Sequence, residues 1–86
     1  MIEKPIRFSG HARDRLVDRG ATEEEVCRAV REGACEPAKL GRSVYRLNLQ
    51  FNARWQGREC EIKQVAPVVA ETPDEIIVVT VYTFYF

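Results

Sequence analysis

His11, Arg15 and Arg19 stand four residues apart. On a helix each such step turns about 40°, so one imidazole and two guanidiniums line a single side as a ladder. Asp18 falls about 20° from His11 on the other side, near enough to pair with Arg15 or with the imidazole. An imidazole beside two guanidiniums suits phosphodiester cleavage without a metal. A base takes the ribose 2′ proton, fixed cations hold the pentavalent phosphorane, and an acid protonates the 5′ leaving oxygen. Tyr82 can supply that acid from the far end of the chain, or it packs in an apolar strand with its hydroxyl satisfied. The ladder has a structural reading as well, in which His11 fills the seam between a helix and a sheet. The arginines then pair with the Glu-rich segment that follows, Glu23-Glu24-Glu25.

A second set of candidates comes from the charge pattern. The chain of 86 residues carries 13 basic and 13 acidic side chains, for a net charge of +0. The zero conceals a segregation: residues 38–64 hold six basic groups (Lys39, Arg42, Arg46, Arg54, Arg58, Lys63) against two acidic ones, for +4. Residues 21–37 and 65–86 are each at −3, and residues 1–20 at +2. Ten of the thirteen cations are Arg, whose planar fork suits phosphate and carboxylate. Arg42, Arg46, Arg54 and Arg58 can therefore hold RNA or an acidic partner, or serve as solvated surface. Trp55 between Arg54 and Arg58 places an aromatic among cations, as single-strand binders do where bases stack, although a lone Trp equally anchors a core.

These groups need a scaffold, and the chain is long enough for one small domain spanning residues 1–86. Hydrophobic residues at 45% and charged ones at 30% describe a globular chain. No apolar run approaches the roughly 20 residues that cross a bilayer, and the first residues lack the pattern of a leader. Cys27, Cys35 and Cys60 are odd in number and lack C-x-x-C spacing, which points to a reducing cytoplasm and away from disulfides. With one His and scattered Cys, neither a metal site nor a cofactor is expected.

The first half reads as two helices. Ser9 caps a helix with apolar positions Ala12, Leu16 and Val17, ended by Gly20. Thr22 and Glu25 form a capping box for a second helix with the stripe Val26, Ala29 and Val30, ended by Gly33. The second half reads as sheet. Tyr45, Leu47, Leu49 and Phe51 alternate with Val44, Arg46, Asn48 and Gln50, which predicts a strand with one wet face. A polar hairpin loop from Asn52 to Gly57 leads to a strand near residues 58–66 with Cys60, Ile62 and Ala66 facing inward, ended or bulged by Pro67. After a turn at Thr72-Pro73-Asp74, residues 76–86 form a strand apolar on both faces, and Ile2–Phe8 can add a short edge. The expected product is an α+β domain, with the two helices packed on an antiparallel sheet of three or four strands.

The string Ser9-x-His11-Ala12-x-x-Arg15-x-x-x-Arg19-Gly20 resembles a family of small bacterial domains of unknown function. So do the capping-box helix with Val26 and Gly33, and Thr80-Val81-Tyr82 in the final strand. The resemblance is close over residues 6–34 and loose over 44–84. That family is similar in layout to the RelE-like toxins of the barnase–colicin–RelE ribonucleases. The resemblance implies a RelE-like fold, a toxin–antitoxin setting, an RNA substrate and an antitoxin-like protein partner. His11 would be the acid–base group and Arg15 and Arg19 the phosphate clamps. Such toxins are generally basic and carry basic or acid–base residues in their last strands. This chain is neutral, with pI ≈ 6.6, and ends in residues whose only polar groups are hydroxyls. The alternative function is thus a non-catalytic interaction module on the same fold, which can form a homodimer.

Overall fold

The computed structural model describes residues 4–86. Along the chain run β1 (Ile6–Phe8), α1 (Gly10–Arg19), α2 (Glu23–Glu32), β2 (Ala34–Pro37), a 3₁₀ turn (Lys39–Gly41), β3 (Ser43–Trp55), β4 (Arg58–Glu71) and β5 (Ile76–Tyr85). The five strands make one sheet in the order β1-β5-β4-β3-β2, with both helices packed against one face. The α+β class and the helix pair match expectation, but the sheet has five strands instead of three or four. It is also mixed, because β1 runs parallel to β5 while the other pairs are antiparallel. The unforeseen strand, β2, is four exposed residues paired with Ser43–Arg46, too short and too polar to show an alternation. The strand expected over Ile2–Phe8 begins at Ile6, and its residues 2 and 3 lie outside the described part. Among the described residues, no helix is long and apolar enough to cross a membrane.

Local chemistry explains the helix ends. Ser9 adopts an extended backbone and its hydroxyl accepts from the Ala12 N–H at 3.0 Å, capping α1. Thr22 and Glu25 close their capping box, with hydrogen bonds of 3.1 and 3.0 Å. Ala12 and Leu16 of α1 meet Val26, Ala29 and Val30 of α2 over Phe8, Val65, Val69, Val78 and Val81. Burying a side chain of this size stabilises by about 1.5–3 kcal/mol. Val17, expected in the α1 stripe, is instead 83% exposed, because Ala12 and Leu16 alone fill the narrow contact with the sheet. Pro67 does not end its strand. It is buried inside β4 opposite Val81, and the β3–β4 ladder is interrupted beside it, between the pairs Val44–Val68 and Leu47–Val65. A residue without an N–H is tolerated where the ladder is already broken.

The two helices meet at a corner that is locked to the sheet. Gly20 closes α1 with φ of +69°, and a Cβ there would stand 2.6 Å from Trp55 Cζ3 and 2.9 Å from the Tyr85 hydroxyl. Trp55 itself stacks on Tyr85, with centroids 4.3 Å apart and planes 13° from parallel. Beneath the corner lies Lys63, only 6% exposed. Its ammonium donates to the Gly20 carbonyl and to Glu25 Oε1, the latter at 2.8 Å. Glu25 is also the capping-box carboxylate, so one buried cation ties the end of α1 to the start of α2 and both to β4. Lys63→Met keeps the apolar bulk, removes the ammonium from the Gly20 carbonyl and leaves the Glu25 carboxylate with the Thr22 N–H but no cation. Hydrogen bonds to charged groups contribute about 1.5–3 kcal/mol, and 1 kcal/mol moves the melting point of so small a domain by about 4–8 °C. The variant should therefore melt at least about 6 °C below the wild type in a thermal scan followed by circular dichroism.

Candidate functional site

The position of the ladder follows from where β1 stops. Its pairing with β5 ends at Phe8–Val78, and beyond that point α1 lies along the β5 edge in place of a strand. Ser9 makes the junction: its N–H donates to the Val78 carbonyl at 3.0 Å and its hydroxyl to the Val79 carbonyl at 3.2 Å. Two residues on, His11 Nε2 stands 3.2 Å from Thr80 Oγ1. At the other end of the helix, Arg19 carries its guanidinium carbon over the Tyr82 ring, 5.0 Å from the centroid. The backbone carbonyl of Arg19 accepts from Thr83 Oγ1 at 3.1 Å and from the Tyr85 hydroxyl at 2.7 Å. Thr83 and Tyr85 thus hold the helix from the covered face of β5. Thr80 and Tyr82, which alternate with them, meet the ladder from the open face.

His11, Arg15, Arg19 and Tyr82 are thereby gathered along one edge. His11 and Tyr82 are exposed, and Arg15 and Arg19 are half-buried. Arg15 pairs with Asp18, Nη2 to Oδ2, at 3.2 Å. Its Nε is buried and has no hydrogen-bond partner among the described residues. The expected pairing of the ladder with the Glu-rich helix does not form. It is Arg13, two residues from both His11 and Arg15, that pairs with Glu23. The carbonyls of Arg19 and Gly20 at the helix end accept from hydroxyls of β5 and from the ammonium of Lys63.

The open face of the sheet continues from this edge. Tyr82 lies opposite Ala66, Phe84 opposite Gln64, and Gln64 opposite Asn48. Arg46 reaches over from β3, with its guanidinium carbon 5.8 Å from the Phe84 centroid. Arg46 Nη1 donates to Gln64 Oε1 at 3.1 Å, Gln64 Nε2 donates to Asn48 Oδ1 at 2.8 Å, and Arg46 Nε donates to Glu36 Oε2 at 3.3 Å. Arg46 is therefore the member of the basic segment that shares a face with Tyr82. Arg42 lies before β3 begins, Arg54 faces Glu59 at 4.0 Å near the hairpin tip, and Arg58 donates to the Tyr85 carbonyl at 2.8 Å. Trp55 belongs to the end of β3, not to a loop, and is spent on Tyr85 and Gly20. Sequence reasoning gave no role to Gln64 or Phe84. The signal was the period-two alternation of β4 and β5 carried across the register from Asn48.

The remaining reactive groups lie elsewhere. Cys60 is buried, and Cys27 is half-buried on α2, where burial pushes its thiol up. Cys35 is exposed on β2. Among the described residues, no three His, Cys, Asp or Glu side chains are grouped as a metal ion would need.

The hydroxyl that holds the ladder's helix is itself titratable. Burial, the larger influence, pushes the Tyr85 phenol above its ordinary value, against a lowering hydrogen bond with Thr83. The folded state thus holds this proton more tightly than the unfolded chain does. The contribution is full below about pH 10, the ordinary phenol value, and is lost as pH rises through the raised folded value. Tyr85→Phe should cost about 0.5–1.5 kcal/mol at neutral pH and flatten the fall of melting point above about pH 10. His11→Ala removes one exposed hydrogen bond and should move the neutral melting point by less than the Tyr85 change.

No curated protein and no solved structure matches the chain. One family model does, over residues 8–83, which takes in α1, α2, β2, β3, β4 and most of β5. The matched span includes His11, Arg15, Arg19, Arg46, Gln64 and Tyr82. The chain belongs to the family described as a domain of unknown function, DUF4258.

Proposed function

We propose that this domain binds single-stranded RNA along the α1–β5 edge and cleaves it without a metal, as a RelE-like toxin-family ribonuclease would. The observation that carries the reading is the gathering of His11, Arg15, Arg19 and Tyr82 on one accessible edge, with aromatic surface continuing beside them. In the proposed step His11 removes the proton from a ribose 2′ hydroxyl. The 2′ oxygen attacks phosphorus, and the bond from phosphorus to the 5′ oxygen breaks. Tyr82, whose ring lies against the Arg19 guanidinium, gives its proton to the leaving oxygen, and water then carries the proton held by His11 back to the phenolate, which resets both groups. The products are a 2′,3′-cyclic phosphate and a free 5′ hydroxyl. Arg15 and Arg19 oppose the charge that builds on the phosphorane oxygens, which is where fixed cations contribute most. Arg15 must leave Asp18 to do so, an exchange of one anion for another at a pair whose carboxylate is exposed. The RelE-like layout and the toxin–antitoxin setting rest on the motif resemblance, to which the order of two helices followed by a long antiparallel meander is suited.

The test is cleavage of an end-labelled single-stranded RNA in excess EDTA, with product ends identified by mass spectrometry. The expected result is a 2′,3′-cyclic phosphate from the wild type and a rate at least about 100-fold lower for His11→Ala, the usual scale of acid–base contributions. Binding should weaken with salt, and Arg19→Ala should reduce the slope of log affinity against log salt by about 0.7, one phosphate contact on a single strand. Binding that ignores salt would remove RNA as the ligand. The exposed rings of Tyr82, Phe84 and Phe86 would then mark a surface for a protein partner.

A further inference from the structure

The open face holds a second arrangement beside the ladder, and its donors are already oriented. Phe84 is 44% exposed and lies two residues beyond Tyr82 on the same side of β5, roughly 6.7 Å along the strand. That spacing lets a strand held at the ladder lay its next base on the Phe84 ring, and aromatic platforms accept any base face. What surrounds the ring does discriminate. Gln64 is committed at both ends of its amide, accepting from Arg46 and donating to Asn48. Asn48 Oδ1 is the acceptor in that second bond, which fixes the orientation of its own amide and leaves Nδ2 pointing out as a donor. Arg46 uses Nε on Glu36 and one Nη1 hydrogen on Gln64, and Nη2 has no hydrogen-bond partner among the described residues. The Arg46 fork and the Asn48 amide therefore keep unused donors beside Phe84.

We infer that Arg46, Gln64, Asn48 and Phe84 form a base-selective subsite that takes guanine, stacked on Phe84, with its O6 and N7 facing the Arg46 fork. This rests on the RNA reading above and names the base which that site selects. Guanine presents two adjacent acceptors on that edge, the pattern an arginine fork meets bidentately. Adenine presents an amino group where O6 would be, so its N6 donor opposes the guanidinium and leaves a donor on each side unpaired. Hydrogen bonds from Nε to Glu36 and from Nη1 to Gln64 restrict the rotation of the guanidinium beside Phe84.

The test compares fluorescence-anisotropy titrations of the whole domain with fluorescein-labelled RNA heptamers. One is all adenosine, one has a central guanosine, and one has inosine in its place. Inosine keeps O6 and N7 and lacks the exocyclic amine. The expected result is affinity about 10-fold higher for the guanosine and inosine heptamers than for all-adenosine, within the range of a good bidentate pair. Arg46→Lys keeps the charge and loses the fork. It should bring the three heptamers to within about twofold of one another, whatever their common affinity becomes. Equal, salt-dependent binding of all three heptamers by the wild type overturns the subsite and leaves the RNA reading standing. Binding of guanosine but not inosine overturns the assignment to O6 and N7. Failure to bind any heptamer overturns both readings together.

Discussion

The corner between the two helices rests on one buried ammonium. Lys63 satisfies the Gly20 carbonyl at the end of α1 and the Glu25 carboxylate at the start of α2, from a strand in the middle of the sheet. A buried charge is costly unless paired, and removing one partner leaves the other stranded. The contact therefore fixes where both helices sit as much as how strongly they are held. Trp55 and Tyr85 press on Gly20 from the sheet side and tolerate no side chain there. With the corner fixed, and Ser9 fixed to Val78 and Val79 at the other end, α1 is pinned at both ends along β5. Its only freedom is which side chains it shows to the edge.

That constraint gives the ladder its meaning. A helix standing in for an edge strand presents one stripe to the covered face and the adjacent stripe to the open face. Ala12 and Leu16 take the first, and His11, Arg15 and Arg19 take the second. The hydroxyls of Thr83 and Tyr85 and the side chains of Thr80 and Tyr82 come from alternate positions of the same strand. One set positions the helix, and the other meets the groups that could act on a ligand.

Much of this was legible in the residues themselves. Ser9, Gly20 and the Thr22–Glu25 box are local signals whose geometry is set within four residues, and they stand where the sequence reading puts them. The alternation Tyr45, Leu47, Leu49, Phe51 likewise depends only on the pleat, and three of the four pack against the core cluster. What was not legible depends on partners distant in the chain. Lys63 is out of phase with Cys60, Ile62 and Ala66, the positions the sequence reading turned inward; the structure turns Lys63 and Val65 to the helices instead, because the Gly20 carbonyl and Glu25 are brought over the ammonium. β2 acquires its identity only from pairing with Ser43–Arg46. The cluster of Arg46, Asn48, Gln64 and Phe84 spans three strands. Its register depends on β-bulges, one in β3 between Gln50 and Ala53 and one in β5 opposite Val68 and Val69, that no alternation announces.

The bulge in β3 has a bearing on solubility. β2 pairs only with Ser43–Arg46, so from Leu47 onward the outer edge of β3 has no neighbouring strand among the described residues. A long, flat, unpaired edge is a template for other chains. Here Asn52, with φ of +48°, adds an extra residue between the pairs Gln50–Ile62 and Ala53–Cys60 and breaks the rhythm of donors and acceptors halfway along that edge. A strand arriving in register with Leu47–Gln50 finds the ladder out of step three residues later. The irregularity thus denies an incoming strand a continuous edge, the uninterrupted seam for self-association that a straightened β3 would offer.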